Sequence, residues 1–233
     1  MQFLKEDIMK KVIGLILCVL MLCTFVVSAG AAEFNGADLF TIDLPDGYEQ
    51  TGTATSDYSF KKENGDSFSI EYIDNTDKKN IFSPADMSQK DIEAYTASLS
   101  AEAKELMLEY VDSFDMEFVS SEKQKHSNGK TALVSKAETH VISGKDELLY
   151  YQTIYEFGGA DYKYTFTYTT QSEKRADSFT ENFETINIFE AETQTGADKL
   201  TSLAGAGVLL LLVFAGIVRF IRTPEKRAKG KLK

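Results

Sequence analysis

Ser127-Asn128-Gly129-Lys130 is followed by Thr131 to Val141, by the turn Ser143-Gly144-Lys145-Asp146, by Leu148 to Phe157, by Gly158-Gly159-Ala160-Asp161, and by Tyr162-Lys163-Tyr164-Thr165-Phe166-Thr167-Tyr168. Asn-Gly between two strand-like runs is the strongest short hairpin signal in the chain, because asparagine and glycine take positive φ at little cost. A polar run leading from Phe118 into that turn supplies the first strand. Four consecutive strands joined by short glycine-containing turns predict an antiparallel meander. Leu148 to Phe157 carries Tyr150, Tyr151, Ile154 and Tyr155, apolar or aromatic on both faces, and so is expected near the middle of the sheet.

Upstream, Phe40-Thr41-Ile42-Asp43-Leu44 alternates and stops at Pro45-Asp46-Gly47, a strand entering a tight turn. Tyr58 and Phe60, the turn Asn64-Gly65, and then Phe68, Ile70 and Tyr72 predict a hairpin with one buried face. Ser88 with Asp91 three residues on is a capping signature, and Ile92, Tyr95 and Leu99 follow at helical spacing. Ser100 is expected to cap a second helical segment. In it Ala103, Leu106, Met107, Tyr110, Val111 and Phe114 form a stripe, and Glu102, Glu105, Glu109 and Asp112 form the opposite face. A last helix is predicted after Ser172, with Ala176, Phe179, Phe183 and Ile186 on the side that covers the sheet.

These elements predict an α+β domain over residues 32–189, an antiparallel sheet with packed helices in an α/β/α-like sandwich. The strand, proline, glycine and aromatic of Phe40 to Tyr48, with the hairpin, the helices, the meander and the closing Ile186-Asn187-Ile188-Phe189, resemble the PsbP-like α/β-sandwich superfamily. The resemblance implies a small accessory or binding module. It brings no shared catalytic residues.

The two ends set the expected location. Val12 to Val27 is apolar, is preceded by Lys10 and Lys11, and is followed by Ser28-Ala29-Gly30-Ala31-Ala32. That is the three-part pattern of a secretory signal peptide over residues 1–31, with cleavage expected at Ala31 or Ala32, or alternatively at Ala29, and with Met1 or Met9 as the start. At the other end Thr201 to Val218 carries no charge, and residues 200–221 approach the roughly 20 residues that cross a bilayer core as a helix. Residues 222–233 hold Arg222, Lys226, Arg227, Lys229, Lys231 and Lys233 against Glu225, the excess that stays cytoplasmic. Residues 190–199 are polar and read as a tether.

Charge and cysteine usage narrow the classes of function. Residues 32–199 hold 33 acids and 15 bases, a net of −18, which disfavours nucleic acid as a partner. Cys18 and Cys23 both lie in the signal segment, so the exported part has neither disulfide nor thiol nucleophile. A cysteine-free exported domain suits a Gram-positive envelope. His126 is expected on an exposed loop and His140 on an exposed strand face, and with no cysteine beside them no zinc set forms. No dinucleotide, calcium-loop or nucleophile-elbow motif is present, so no cofactor and no catalytic residue are assigned. Two binding surfaces are considered. Glu102, Glu105, Glu109 and Asp112 could hold a cation or a basic peptide, and Tyr150, Tyr151, Tyr155, Tyr162, Tyr164 and Tyr168 could stack on sugars. A solvated helix face and ordinary sheet packing explain the same residues.

Gln194-Thr195-Gly196, just before the apolar run, is similar to a sortase cell-wall sorting signal, with Glu192 and Thr193 where such signals carry leucine and proline. The resemblance implies cleavage between Thr195 and Gly196. The expectation is therefore a single-pass membrane protein with its domain outside and its C-terminus in the cytoplasm, binding an envelope protein or peptide. The alternatives are a wall-attached surface protein and a wall-polymer hydrolase working through paired carboxylates.

Overall fold

A computed structural model describes residues 32–54, 57–77 and 81–192. Among these residues, ten strands form two sheets. β1 (Ala32–Gly36), β2 (Phe40–Leu44) and β10 (Asn187–Ile188) make a small antiparallel sheet in the order β1-β2-β10. The large sheet contains β3 (Glu49–Ala54), β4 (Asp57–Lys61), β5 (Ser67–Asp74), β6 (Ser113–Lys125), β7 (Thr131–Ser143), β8 (Asp146–Gly158) and β9 (Tyr162–Thr170) in the order β3-β4-β5-β9-β8-β7-β6. All its pairings are antiparallel. The expected meander is β6 to β9, turned at Gly129 (φ +83°) and Gly144 (φ +67°), where the backbone is left-handed and favours glycine.

Three helices complete the domain: α1 (Gln89–Met107), α2 (Glu173–Ser178) and α3 (Thr180–Phe183). The large sheet is covered on both faces, so there are two cores. On one face α1 and a 3-10 turn at Pro84–Asp86 bury Met87, Ile92, Tyr95, Leu99, Ala103 and Met107 against β6, β7 and β8. On the other, β2, β10, α2 and α3 bury Phe40, Ile42, Phe179, Phe183 and Ile188 against Phe68, Ile70, Tyr155, Phe157, Phe166 and Tyr168. The expected helical outer layer is therefore mixed on this side, part helix and part small sheet.

Aromatic side chains seat the closing helices. Tyr168 stacks on Phe179 with centroids 4.0 Å apart and planes 6° apart, and Tyr155 stacks on Phe183 at 4.3 Å. Such pairs contribute about 0.5–1.5 kcal/mol beyond the area they bury. Of the six tyrosines considered for stacking on sugars, Tyr150, Tyr155, Tyr164 and Tyr168 are buried in the two cores and Tyr151 and Tyr162 are half-buried.

Three expectations change. The helical stripe predicted through Phe114 ends at Met107, where the Tyr110 and Val111 amides both turn back to the Met107 carbonyl and Asp112 N–H bonds Ile142 O at 2.9 Å. Phe114 is equally compatible with strand alternation alongside Met116, and pairing with Val141 across twelve residues of β7 prevails over helical continuation. The break expected at Ser100 does not occur, and α1 runs through it. His126 is buried, because its hairpin folds onto the end of α3: Nε2 lies 2.8 Å from the Phe183 carbonyl oxygen and Nδ1 accepts from Asn128 N–H. His140 is exposed as expected.

Ser88 and Asp91 form the reciprocal capping box that starts α1. Ser88→Ala leaves an amide at the helix start unsatisfied and is expected to cost about 1 kcal/mol, a fall in Tm of about 2–4 °C by calorimetry. An unchanged Tm would mean that the cap adds nothing to the tertiary contacts that seat α1.

Candidate functional site

The α1 side of the large sheet is apolar over β6 to β8 and polar over β5 and β9. Strand alternation produces this: Phe68, Ile70, Tyr72 and Tyr164, Phe166, Tyr168 point to one face, so Ser69, Glu71 and Lys163, Thr165, Thr167, Thr169 point to the other. Pairing registers then set a row across four strands. Asp57 of β4 lies opposite Glu71 of β5, Glu71 opposite Thr165 of β9, and Thr165 opposite Glu156 of β8. Glu71 and Glu156 are both 3% exposed.

Lys163 enters this row from one step along β9. Its ammonium ion-pairs with Glu156 Oε1 at 2.6 Å and donates to the Tyr95 hydroxyl at 2.5 Å, while that hydroxyl donates to Glu156 Oε1 at 2.5 Å. The same ammonium lies 4.4 Å from the Phe82 ring centroid. Helix α1 is thus joined to the sheet by a closed triangle of charge-assisted bonds in a site shielded from water. Burial and the neighbouring Glu156 carboxylate raise the Tyr95 pKa well above its ordinary value, which keeps the phenol a donor.

Glu71 is the odd member. Burial first, then the charge of Asp57, push its pKa up to about 8, with Lys163 pulling the other way. Among the described residues no ion pair joins Glu71 to Lys163. Beside it, the hydroxyls of Ser69 and Thr167 face each other in register and are buried with no hydrogen-bond partner. A second seam is fully bonded: Thr139 Oγ1 donates to Gln152 Oε1 at 3.0 Å and Gln152 Nε2 to Thr169 Oγ1 at 3.3 Å.

Two other carboxylates serve as fasteners. Asp66 accepts from Thr170 at 2.6 Å, Tyr168 at 2.9 Å and Arg175 Nε at 3.1 Å, tying α2 to β9. Burial and Asp66 push the Tyr168 pKa up to about 12. Glu190 accepts from the backbone N–H of Asp161 and Tyr162 and from the Tyr164 hydroxyl. Ala160 N–H bonds the Ala191 carbonyl oxygen, and Thr131 N–H bonds Glu192 Oε1 at 2.7 Å. Glu190 to Glu192, assigned from sequence to the tether, are strapped to the domain beside the β8–β9 turn.

The residues singled out from sequence fall elsewhere. Glu102 and Glu105 lie on α1, Glu109 in the turn after it, and Asp112 accepts from Gly144 N–H at 2.6 Å, fixing the β7–β8 turn. The four do not make one helix face, because the helix ends at Met107. Thr195, Gly196 and the apolar runs at both ends lie outside the described residues. Among the described residues, no helix is long and apolar enough to cross a membrane and no group of three or more metal-ligating side chains forms. Glu71 and Glu156 escaped the sequence reading because 84 positions separate them and only the register through β9 brings them together.

With this geometry the chain can be set beside known proteins. No protein-family model and no curated protein matches it. Its solved neighbours include a PsbP. That protein, CyanoP of the cyanobacterium Synechocystis, has a TM-score of 0.45 and 14% identity, over 71% of this chain and 96% of its own. The Ran-binding protein Mog1p of Saccharomyces cerevisiae has a TM-score of 0.40 and 9% identity, over 70% of this chain and 97% of its own. A protein of Bacteroides thetaiotaomicron has a TM-score of 0.39 and 12% identity, over 70% of this chain and 49% of its own. The α+β architecture itself rests on the strand order and the two cores described above.

Glu71 makes a stability prediction with a definite sign. A carboxyl whose folded pKa is near 8 against an ordinary 4.5 contributes stability that is complete below pH 4.5 and is lost as the pH rises through 8. Denaturant unfolding of the full chain should therefore show stability falling across that window. Glu71→Gln should lack this fall, the gap between the two proteins widening in its favour by about 1 kcal/mol per pH unit. Parallel pH profiles would place the Glu71 carboxyl in water.

Proposed function

We propose that the chain is a PsbP-like binding or accessory module of a bacterial envelope, held outside the cell by a single C-terminal membrane helix. The observation that carries this reading is the strap at Glu190–Glu192, which fastens the domain's C-terminal end a few residues before the apolar run. Eight residues separate Glu192 from Thr201, a reach of at most about 28 Å when fully extended. A domain so held meets only what lies close to the membrane surface, which suits a partner that is itself an envelope protein or peptide. Its net charge of −18 over residues 32–199 favours cationic partners or solubility among anionic polymers.

Two of the three buried carboxylates and the half-buried Glu190 are committed internally, which leaves Glu71 alone among the buried ones where hydrolysis needs a pair and so supports binding over hydrolysis. Glu156 is spent on Lys163 and Tyr95, Asp66 on Tyr168, Thr170 and Arg175, and Glu190 on backbone amides. A glycoside hydrolase needs one carboxyl free to protonate the leaving oxygen and a second free to act on the sugar or on water.

Protease added to intact cells producing the full chain with a C-terminal epitope tests the topology. The expected outcome is loss of the domain with a protected fragment carrying residues 222–233. A fully protected chain would overturn the extracytoplasmic placement. Release of the domain by muramidase, with the epitope left in the membrane, would instead assign it to the wall through Thr195.

A further inference from the structure

Lys163 occupies a symmetrical place in the register. It lies opposite Ile73 on β5 and Gly158 on β8, so Glu71 on one side and Glu156 on the other are both diagonal cross-strand neighbours. Diagonal pairs in a sheet are about 7–8 Å apart between Cα atoms, within reach of a lysine side chain. The two carboxyls are matched in burial and in pairing with Thr165, yet Lys163 bonds one of them. The Ser69 and Thr167 hydroxyls, which no neighbour uses, lie beside the carboxyl that Lys163 leaves. A polar site with unused donors on the far side of a shared cation is arranged for two positions of that cation.

We propose that Lys163 is a two-position switch, held by Glu156 and Tyr95 while the Glu71 carboxyl is protonated and drawn toward Glu71 when that carboxyl ionises, so that the seating of α1 on the sheet responds to alkaline pH. The groups that face Glu71 set the direction. Asp57 from β4 and Glu156 from β8 are acidic and oppose its ionisation, and Lys163 from β9 favours it. From α1 comes Tyr95, kept neutral by the same surroundings; the charge of Glu102 acts on Tyr95 and is not among those that act on Glu71. Phe82, from the segment before α1, supplies an uncharged ring. With Glu71 protonated, two acids face one base and the triangle is closed. With Glu71 ionised, three acids face one base, and the ammonium lowers the total repulsion by moving between them. Ser69 and Thr167 then donate to the new carboxylate. Tyr95 loses its cationic donor, and α1 loses the bond that ties its middle to β9. The raised pKa of Glu71, near 8, puts this transition just above neutrality. The cluster lies inside the domain, so its response does not depend on where the chain is located.

The test is a titration of the full chain in detergent micelles, following the Glu71 carboxyl carbon by NMR and the exchange protection of α1 amides around Tyr95. Expected is a Glu71 midpoint near pH 8 with an accompanying drop of about tenfold in α1 protection, after correction for the intrinsic rate. Tyr95→Phe, which keeps the ring, should leave the Glu71 midpoint in place and abolish the coupled drop. Glu156→Gln frees Lys163 for Glu71 and should lower the midpoint. Ionisation of Glu71 in the ordinary carboxylate range, or α1 protection that ignores its titration, overturns the proposal.

Discussion

The ion pair between Lys163 and Glu156 is the constraint around which this domain is built. A sheet covered on both faces has no solvated side on which to put polar residues, yet β5 and β9 carry serine, threonine, glutamate and lysine on the α1 face. Burying a lone carboxylate or ammonium costs several kcal/mol, and removing one partner from a buried pair typically costs about 3–5 kcal/mol. The pair is therefore tolerated only because Tyr95 closes the triangle and the Phe82 ring sits over the ammonium. That requirement fixes where α1 lies, since Tyr95 must reach the junction of β8 and β9. It also fixes where the segment before α1 runs. Phe82 is held by the Asn75 side chain, whose amide oxygen accepts from Phe82 N–H at 2.7 Å and whose amide nitrogen donates to the Phe82 and Gly159 carbonyls.

The opposite face has one buried carboxylate, Asp66, held at its edge by Tyr168, Thr170 and Arg175, and is otherwise filled by aromatic packing. Phe40 packs edge-on against Phe166 at 5.3 Å, and Tyr155 and Tyr168 carry the two short closing helices. The two faces thus divide the work. One core is mainly aromatic, with Asp66 tying Tyr168 and Arg175 at its edge; the other contains titratable groups whose charge state decides how firmly its covering helix is held.

Much of the fold was legible because its signals are local. Asn128-Gly129 marks a hairpin, Ser88 with Asp91 caps α1, and the spacing of Ala176, Phe179 and Phe183 buries one side of the closing helices, as the structure shows. What stayed hidden depends on pairing at a distance or on turns without their usual residues. The β1–β2 turn is made by Ala37 and Asp38 at φ 52° and 58°, positions where glycine or asparagine is the expected marker, so that hairpin gave no signal. Phe114 fits helix and strand spacing alike, and only Val141 across the sheet decides between them. The alternation of β9 was plain, but a polar face predicts solvent. That Thr165, Thr167 and Lys163 are buried follows from which strands flank β9, which short-range sequence does not encode.

The most direct test of the account is an NMR search for the Lys163 ammonium at neutral pH in the full chain. Surface lysine ammonium protons exchange with water too fast to be seen, whereas a buried, ion-paired ammonium is protected. The account predicts a protected ammonium signal from Lys163 with a close contact to the Tyr95 ring. A Lys163 ammonium that exchanges as fast as the surface lysines, with no contact to Tyr95, would contradict it.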